Sequence, residues 1–287
     1  MRGPPRLSPR AGAALLLLAA ALWGSSVVVI KPILPDLPAA WINLARFTIA
    51  AVALSPFIRA DRRIWRCGIE LSGWLFAGFA TQTIALQYTT VNRCAFITAM
   101  NVIFVPLIAA LFGRRIRPVI WAAAITALIG CGLLCRDGSG PNIGDFWTLL
   151  TAITWAVYIL RLESKAADFP PLPLAIAQLV PVALLSGIWM SAHRQPLVHF
   201  HWAALLFLGL AATAATTCLQ AIGQRVVPAP QAAVIFTLEP VFTAVLAYLI
   251  LHQRLTGASG LGAALIVLAA LATQLPASRR EGSALRR

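Results

Sequence analysis

The stretch Leu44-Ala45-Arg46-Phe47-Thr48-Ile49-Ala50-Ala51 returns about 130 residues later as Ile176-Ala177-Gln178-Leu179-Val180-Pro181-Val182-Ala183, and that return decides the fold. The same shift carries Ala20-Ala21-Leu22-Trp23-Gly24 onto Ala152-Ile153-Thr154-Trp155-Ala156. Further along, Gln82-Thr83-Ile84-Ala85 through Ala95-Phe96-Ile97 matches Gln220-Ala221-Ile222-Gly223 through Ala233-Val234-Ile235, the shift having grown by a few residues. The chain therefore reads as two successive halves of one pattern, each almost wholly apolar.

Composition places both halves in a membrane. Of the 287 residues, 60% are hydrophobic and 11% charged, with a mean hydropathy of +0.82. A soluble domain carries about 25% charged residues. At about 20 residues per crossing plus short connections, the length accommodates about ten spans and no soluble domain besides. The apolar runs predict an all-α chain with spans at Gly12 to Leu34, Leu37 to Ile58, Leu71 to Tyr88, Val91 to Phe112 and Pro118 to Leu134 in the first half. The second half gives Ile143 to Leu160, Pro171 to Ala192, Trp202 to Gln224, Pro230 to Leu251 and Gly257 to Leu275. Pro118, Pro171 and Pro230 stand just inside helix starts, where a missing N–H costs nothing. Pro106, Pro181 and Pro240 fall inside spans, where kinks are tolerated if neighbours satisfy the freed carbonyls.

Five spans per half is an odd number, so the second half must enter the membrane from the opposite face. The repeats are expected to be inverted, the arrangement of alternating-access carriers. Loop charges agree, because cytoplasmic loops hold the Lys/Arg excess. With both termini cytoplasmic, the inner segments carry Arg2, Arg6, Arg10, Arg59, Arg62, Arg63, Arg66, Arg114, Arg115, Arg117, Arg161, Lys165, Arg225, Arg279, Arg280, Arg286 and Arg287. The outer loops keep Lys31, Arg93, Arg136, Arg194 and Arg254, one each. This distribution accounts for the net charge of +14 and the pI near 11.3 as orientation and contact with anionic headgroups. A nucleic-acid partner is excluded, since no aromatic-flanked basic patch is available. Arg2 to Arg10 followed by an apolar run has the look of a signal peptide. However, the run continues past Trp23 to Ile30 and has its echo at Trp155, so it is read as a retained first span.

In this order and spacing, Leu22-Trp23-Gly24-Ser25 with Lys31-Pro32, Leu44-Ala45-Arg46-Phe47, Gln87-Tyr88-Thr89-Thr90, Trp155-Ala156 and Leu238-Glu239-Pro240-Val241-Phe242 resemble the drug/metabolite transporter superfamily, in its ten-helix EamA type. The resemblance implies two five-helix units, at residues 12–134 and 143–275, with helices five and ten at the periphery. It also implies a secondary transporter in the bacterial inner membrane, exporting a small metabolite, amino acid or drug-like compound without a cofactor. That family often places a Glu just after the fourth and ninth helices, where this chain has Arg114-Arg115 and His252-Gln253.

Arg46 and Glu239 are the two charges near mid-span depth. A charge there costs about 2.5 to 3.5 kcal/mol, so each should face a cavity, the bundle interior or a partner. The structural alternative is a buried pair, or bonds to backbone carbonyls. Glu239 precedes Pro240, and helices broken at the midplane are where transporters place substrate and ion sites. Loss of water favours the neutral form of a carboxyl, which makes Glu239 the candidate proton-coupling residue. The candidate substrate lining is Trp23, Ser25 with Ser26, Arg46, Gln82, Asn101, Trp155, Tyr158, Gln178 and Gln220. Trp23 and Trp155, Arg46 and Gln178, and Gln82 and Gln220 are repeat-equivalent, and such positions meet at a repeat interface. Taken singly, each could equally be a belt tryptophan or helix-bonding amide.

Other chemistry is thinly represented. Cys131 and Cys135 are one turn apart while Cys67, Cys94 and Cys218 are scattered, so all read as small apolar fillers. His199 and His201, beside His193, lack a nearby carboxylate or Cys in the sequence, and no metal is expected. There is no phosphate-binding G-x-x-x-x-G-K-[ST] loop. An intramembrane enzyme would need a histidine at matched depth, and all four histidines fall at outer loops. A lipid flippase or scramblase of the same fold is the other alternative, and a lateral opening to lipid would favour it. The topology is checked by reporter fusions: those after Asp61 and Asp168 should score cytoplasmic and those after Asp137 and Gln195 periplasmic. A reversed score at both members of either pair contradicts inversion.

Overall fold

The computed structural model describes residues 7–134, 141–192, 199–251 and 257–273, and over them the chain is helical throughout. Ten rods follow in order: α1 Pro9–Ile33, α2 Ala39–Leu54, α3 Arg62–Tyr88, α4 Val91–Ala99 continued by Asn101–Leu111, and α5 Pro118–Leu134. Then come α6 Ile143–Ala166, α7 Pro171–Ala192, α8 from Trp202–Gly209 through Thr216–Gly223, α9 Ala229–Phe236 continued by Glu239–Leu251, and α10 Gly257–Thr273. Seven of these rods are long and apolar enough to cross a membrane, and α5 and α10 are shorter apolar helices. The tenth, α3, is long but carries Ser72, Gly73, Thr81, Gln82, Thr83 and Gln87, because much of it faces protein rather than lipid.

Three expected spans are not continuous α-helices. α4 breaks at Met100, whose N–H reaches only to Ile97 O (3.1 Å). α9 breaks at Thr237 and Leu238, which likewise bond three residues back, to Val234 O (3.2 Å) and Ile235 O (3.1 Å). Pro240 explains the second break: it has no N–H to give Phe236 O and its ring crowds that carbonyl, so the first segment ends at Phe236. Expected inside a span, Pro240 instead occupies the second position of a new helical segment, where proline is well tolerated. α8 is interrupted by a π turn at Leu210–Ala215. Two boundaries also move: α3 begins at Arg62 rather than Leu71, and α6 runs to Ala166 rather than Leu160.

The packing has the symmetry of the repeat. α2 packs on its counterpart α7, and α5 on α10. α3 lies on α6 as α8 lies on α1, α3 on α7 as α8 on α2, and α4 on α6 as α9 on α1. The broken helices cross in the same manner, the first segment of α9 against the second of α4, and the second of α9 against the first of α4. Small residues permit the closest approaches, as expected where helices associate by van der Waals packing in lipid. A Cβ on Gly130 of α5 would lie 2.7 Å from Gly262 O of α10, and one on Gly24 of α1 would lie 2.7 Å from Glu239 O.

Polar groups fasten the rims. At one end of the bundle, Arg93 grips Asp145 through both carboxylate oxygens (2.5 and 2.7 Å), joining α4 to α6. Lys31 Nζ donates to Leu86 O (2.6 Å) and Thr89 O (3.0 Å), placing a cation at the negative end of α3. At the opposite end, Arg114 pairs with Glu163 (2.5 Å) and Arg161 with Glu70, both tying α6 to the first half. Arg2, Arg6, Arg136, Arg194, Arg254, Arg279, Arg280, Arg286 and Arg287 lie outside the described residues, as do Cys135, His193, His252 and Gln253.

Candidate functional site

A cavity lies where α1, α3, α4, α6 and α9 converge. Its lining is Trp23, Ser26, Phe79, Gln82, Thr98, Asn101, Trp155, Ile159, Phe236 and Glu239. Measured by the centre of a water-sized sphere its volume is about 20 Å³, room for a water molecule and little more. The walls are aromatic: Trp23 lies 5.4 Å from Trp155 and 5.2 Å from Phe236, and Phe79 stands edge-on to Trp155 at 5.1 Å.

Three polar residues face this cavity from the broken helices, Thr98 and Asn101 of α4 and Glu239 of α9. Asn101 is the first residue of the second segment of α4, and Glu239 the first residue of the second segment of α9. Their equivalence is visible in the sequence, since the shift that carries Gln82 onto Gln220 carries Asn101 onto Glu239 and Thr98 onto Phe236. Each segment start, the positive end of a helix dipole, therefore borders the same space. Among the described residues the Glu239 carboxylate has neither an ion-pair nor a hydrogen-bond partner, and it is only partly shielded by protein. Asn101 Oδ1, Thr98 Oγ1 and Trp23 Nε1 are buried without partners. A lone carboxylate, an indole donor and an amide among aromatic faces are chemically suited to a cationic amine beside neutral or anionic polar groups.

Arg46 stands behind this wall, fully buried, with its guanidinium 4.4 Å from the Phe79 ring centroid. Nε donates to Thr213 Oγ1 (2.8 Å) and Nη2 to Ala212 O (3.1 Å), while Nη1 is buried without a partner. Both acceptors belong to the π turn of α8, a departure from α geometry that recurs at functional sites. Gly209 allows the approach, since a Cβ there would meet the Ile49 side chain at 2.5 Å. Arg46 thus bonds to the opposite half of the chain, and no ion pair joins it to Glu239 among the described residues.

The remaining sequence candidates serve helix contacts in this conformation. Ser25 Oγ donates to Leu22 O (2.7 Å) while its neighbour Ser26 lines the cavity. Tyr158 OH donates to Gln178 Oε1 (2.8 Å), whose Nε2 donates to Leu174 O (3.0 Å). Gln220 Nε2 donates to Gln224 Oε1 (2.9 Å), and Gln224 in turn reaches Ile159 O (2.9 Å). The cavity therefore unites Trp23, Gln82, Asn101, Trp155 and Glu239, and leaves Ser25, Arg46, Tyr158, Gln178 and Gln220 around it. Phe79, Thr98, Ile159 and Phe236 had no signal as single apolar or hydroxyl residues. Thr98 and Phe236 could have been found through the repeat.

Away from the cavity, Asp36 lies 2.7 Å from His201 Nε2, supplying the carboxylate neighbour that the sequence did not bring near. The described residues still contain no group of three metal-ligating side chains. Cys67, Cys94, Cys131 and Cys218 are buried and form no disulfide among the described residues.

Comparison with known proteins follows the same two halves. The model of the EamA-like transporter family matches residues 10–136 and again 142–274. An uncharacterized transporter of Archaeoglobus fulgidus is 29% identical over 267 residues, covering 91% of this chain and 84% of that protein. The uncharacterized inner membrane transporter YicL of Salmonella typhimurium is 25% identical over 303 residues (96% and 99%). The threonine/homoserine exporter RhtA of Salmonella typhimurium is 28% identical over 182 residues (61% and 60%). A solved crystal structure superposes with a TM-score of 0.77 at 20% identity, covering 92% of this chain and 96% of that one, a likeness of fold alone.

The Arg46 geometry gives a testable expectation. Thr213→Val removes one acceptor from a buried guanidinium and should lower stability by about 1 to 3 kcal/mol. Arg46→Lys keeps the charge but loses the planar fork, so it should impair transport less than Arg46→Gln if charge is the operative property. Thermal unfolding in detergent and vesicle flux measure the two effects. An unchanged melting temperature for Thr213→Val, with wild-type flux in both Arg46 variants, contradicts this role.

Proposed function

The chain belongs to the EamA-like transporter family and is a multi-span membrane transporter, not an enzyme; on that basis we propose that it exports a small amine-bearing metabolite of the amino-acid kind across the bacterial inner membrane. The observation that carries this reading is the unpartnered Glu239 carboxylate at the head of a helix segment, facing Trp23 and Trp155. In this role Glu239 and the indole faces attract the amine. The Trp23 N–H, the Gln82 and Asn101 amides and the segment start of α4 take the carboxylate or hydroxyl end. A relative named as a threonine/homoserine exporter supports that substrate class.

We assign the moving parts to the repeat: units at residues 12–134 and 143–275, inverted, with both termini cytoplasmic. A cavity sized for one water does not hold an amino acid, so substrate entry requires the units to part on one side. Arg46, tied to the π turn of α8, lies between the units and acts as an electrostatic anchor that their motion exposes or covers. Ser25, Tyr158, Gln178 and Gln220 join the lining when their helix contacts rearrange. Glu239 exchanges a proton against the substrate amine, which couples export to the proton gradient. The groove on the outside of α2 and α7 shares no lining residue with the cavity.

The test is Glu239→Gln in inside-out vesicles with threonine as probe. Threonine counterflow should persist, at a raised half-saturating concentration, while accumulation driven by an imposed pH gradient disappears. Accumulation at the wild-type level would make Glu239 a packing residue and remove protons from the mechanism.

A further inference from the structure

Where α2 meets α7 on the outside of the bundle, Leu44, Thr48, Val52, Val180 and Leu184 line an apolar groove of about 490 Å³, with Gly187 beside Leu44 at its upper end. From Leu44 to Ile58 it extends about 20 Å at 1.5 Å per residue, more than half of a hydrocarbon core about 30 Å thick. Ile58 also lines a second recess, of about 280 Å³, formed by Pro56, Phe57, Arg59, Pro170, Pro171 and Pro173. The two recesses therefore adjoin at Ile58, and together they lead from the middle of α2 and α7 to the end of the bundle that the loop charges assign to the cytoplasm.

The two ends differ in chemistry. The deep end is almost entirely apolar, and hydrocarbon is its only available occupant in a bilayer, since an empty groove forfeits dispersion contacts. The shallow end is held by Arg59, followed by Arg62, Arg63 and Arg66, all exposed. None of these four arginines is in an ion pair among the described residues, and Asp61, the acid between them, accepts from Arg63 N (2.8 Å) as a helix cap. Trp65 Nε1 donates to Arg59 O (3.0 Å), fixing the backbone of the recess with an aromatic ring of the kind that settles at headgroup depth.

We infer that these adjoining recesses form a binding site for an anionic phospholipid of the cytoplasmic leaflet, one acyl chain lying between α2 and α7 and the phosphate held at Arg59. The site is independent of the transport cavity and of its substrate. It also lies at a seam between the two halves, because α2 and α7 are repeat counterparts.

The experiment is native mass spectrometry of the full-length protein, purified in mild detergent and offered phosphatidylglycerol or phosphatidylcholine of identical chains. The wild type should retain phosphatidylglycerol in preference. Arg59→Gln should lower that preference about fivefold, the equivalent of one basic residue at an anionic surface, without changing phosphatidylcholine retention. Gly187→Phe fills the groove and should reduce retention of both lipids. If that variant does not fold, Leu184→Trp closes the same groove from its exposed wall, with the same expectation. Equal retention of the two lipids by the wild type, an unaltered preference in Arg59→Gln, or undiminished retention in the filled groove overturns the assignment.

Discussion

A backbone break inside a bilayer leaves N–H and C=O groups that lipid cannot satisfy, so it is tolerated only where protein or a polar cavity surrounds it. The interruptions of α4 at Met100 and of α9 at Thr237 and Leu238 meet that requirement by facing each other across the repeat. Much else depends on this arrangement. It puts Asn101 and Glu239 at matched positions, sets two segment starts beside one cavity, and obliges α1 and α6 to bring tryptophans alongside. The close approach of Gly24 to Glu239 O is part of the same packing, since any larger residue there would push α1 away from the break.

The two charges at mid-depth have different surroundings. Arg46 is enclosed, its Nε and Nη2 donating to the π turn of α8 and its guanidinium lying over the Phe79 ring. Glu239 is left open to the cavity without a counter-ion among the described residues. An enclosed cation stiffens the contact between halves, whereas an open acid is available to a ligand or a proton. Phe79 links them, touching the guanidinium on one face and lining the cavity as well.

The all-helical character and the number of rods were legible because each rests on pattern: apolar runs of spanning length and a repeat. The break at Pro240 was half legible, since proline removes a bond but its segment boundary depends on what lies around it. The break at Met100 left no mark, because the repeat position equivalent to Pro240 is Val102 rather than proline. Gln220 and Gln178 illustrate the limit at the site. An amide near mid-span can as well bond a neighbouring helix as face a cavity, and here Gln224 and Tyr158 claim them. Asp36 beside His201 was invisible because its contact joins segments far apart in the chain.

The central claim is that the cavity headed by Asn101 and Glu239 communicates with each side of the membrane in turn. The most direct test places the sole cysteine at Asn101 after replacing the five native ones, Cys67, Cys94, Cys131, Cys135 and Cys218. Its labelling by a membrane-impermeant maleimide is then timed in right-side-out and in inside-out vesicles. Reaction from both faces, slowed by threonine in each, is the predicted result. Reaction confined to one face, or none from either, would contradict a central alternating-access site.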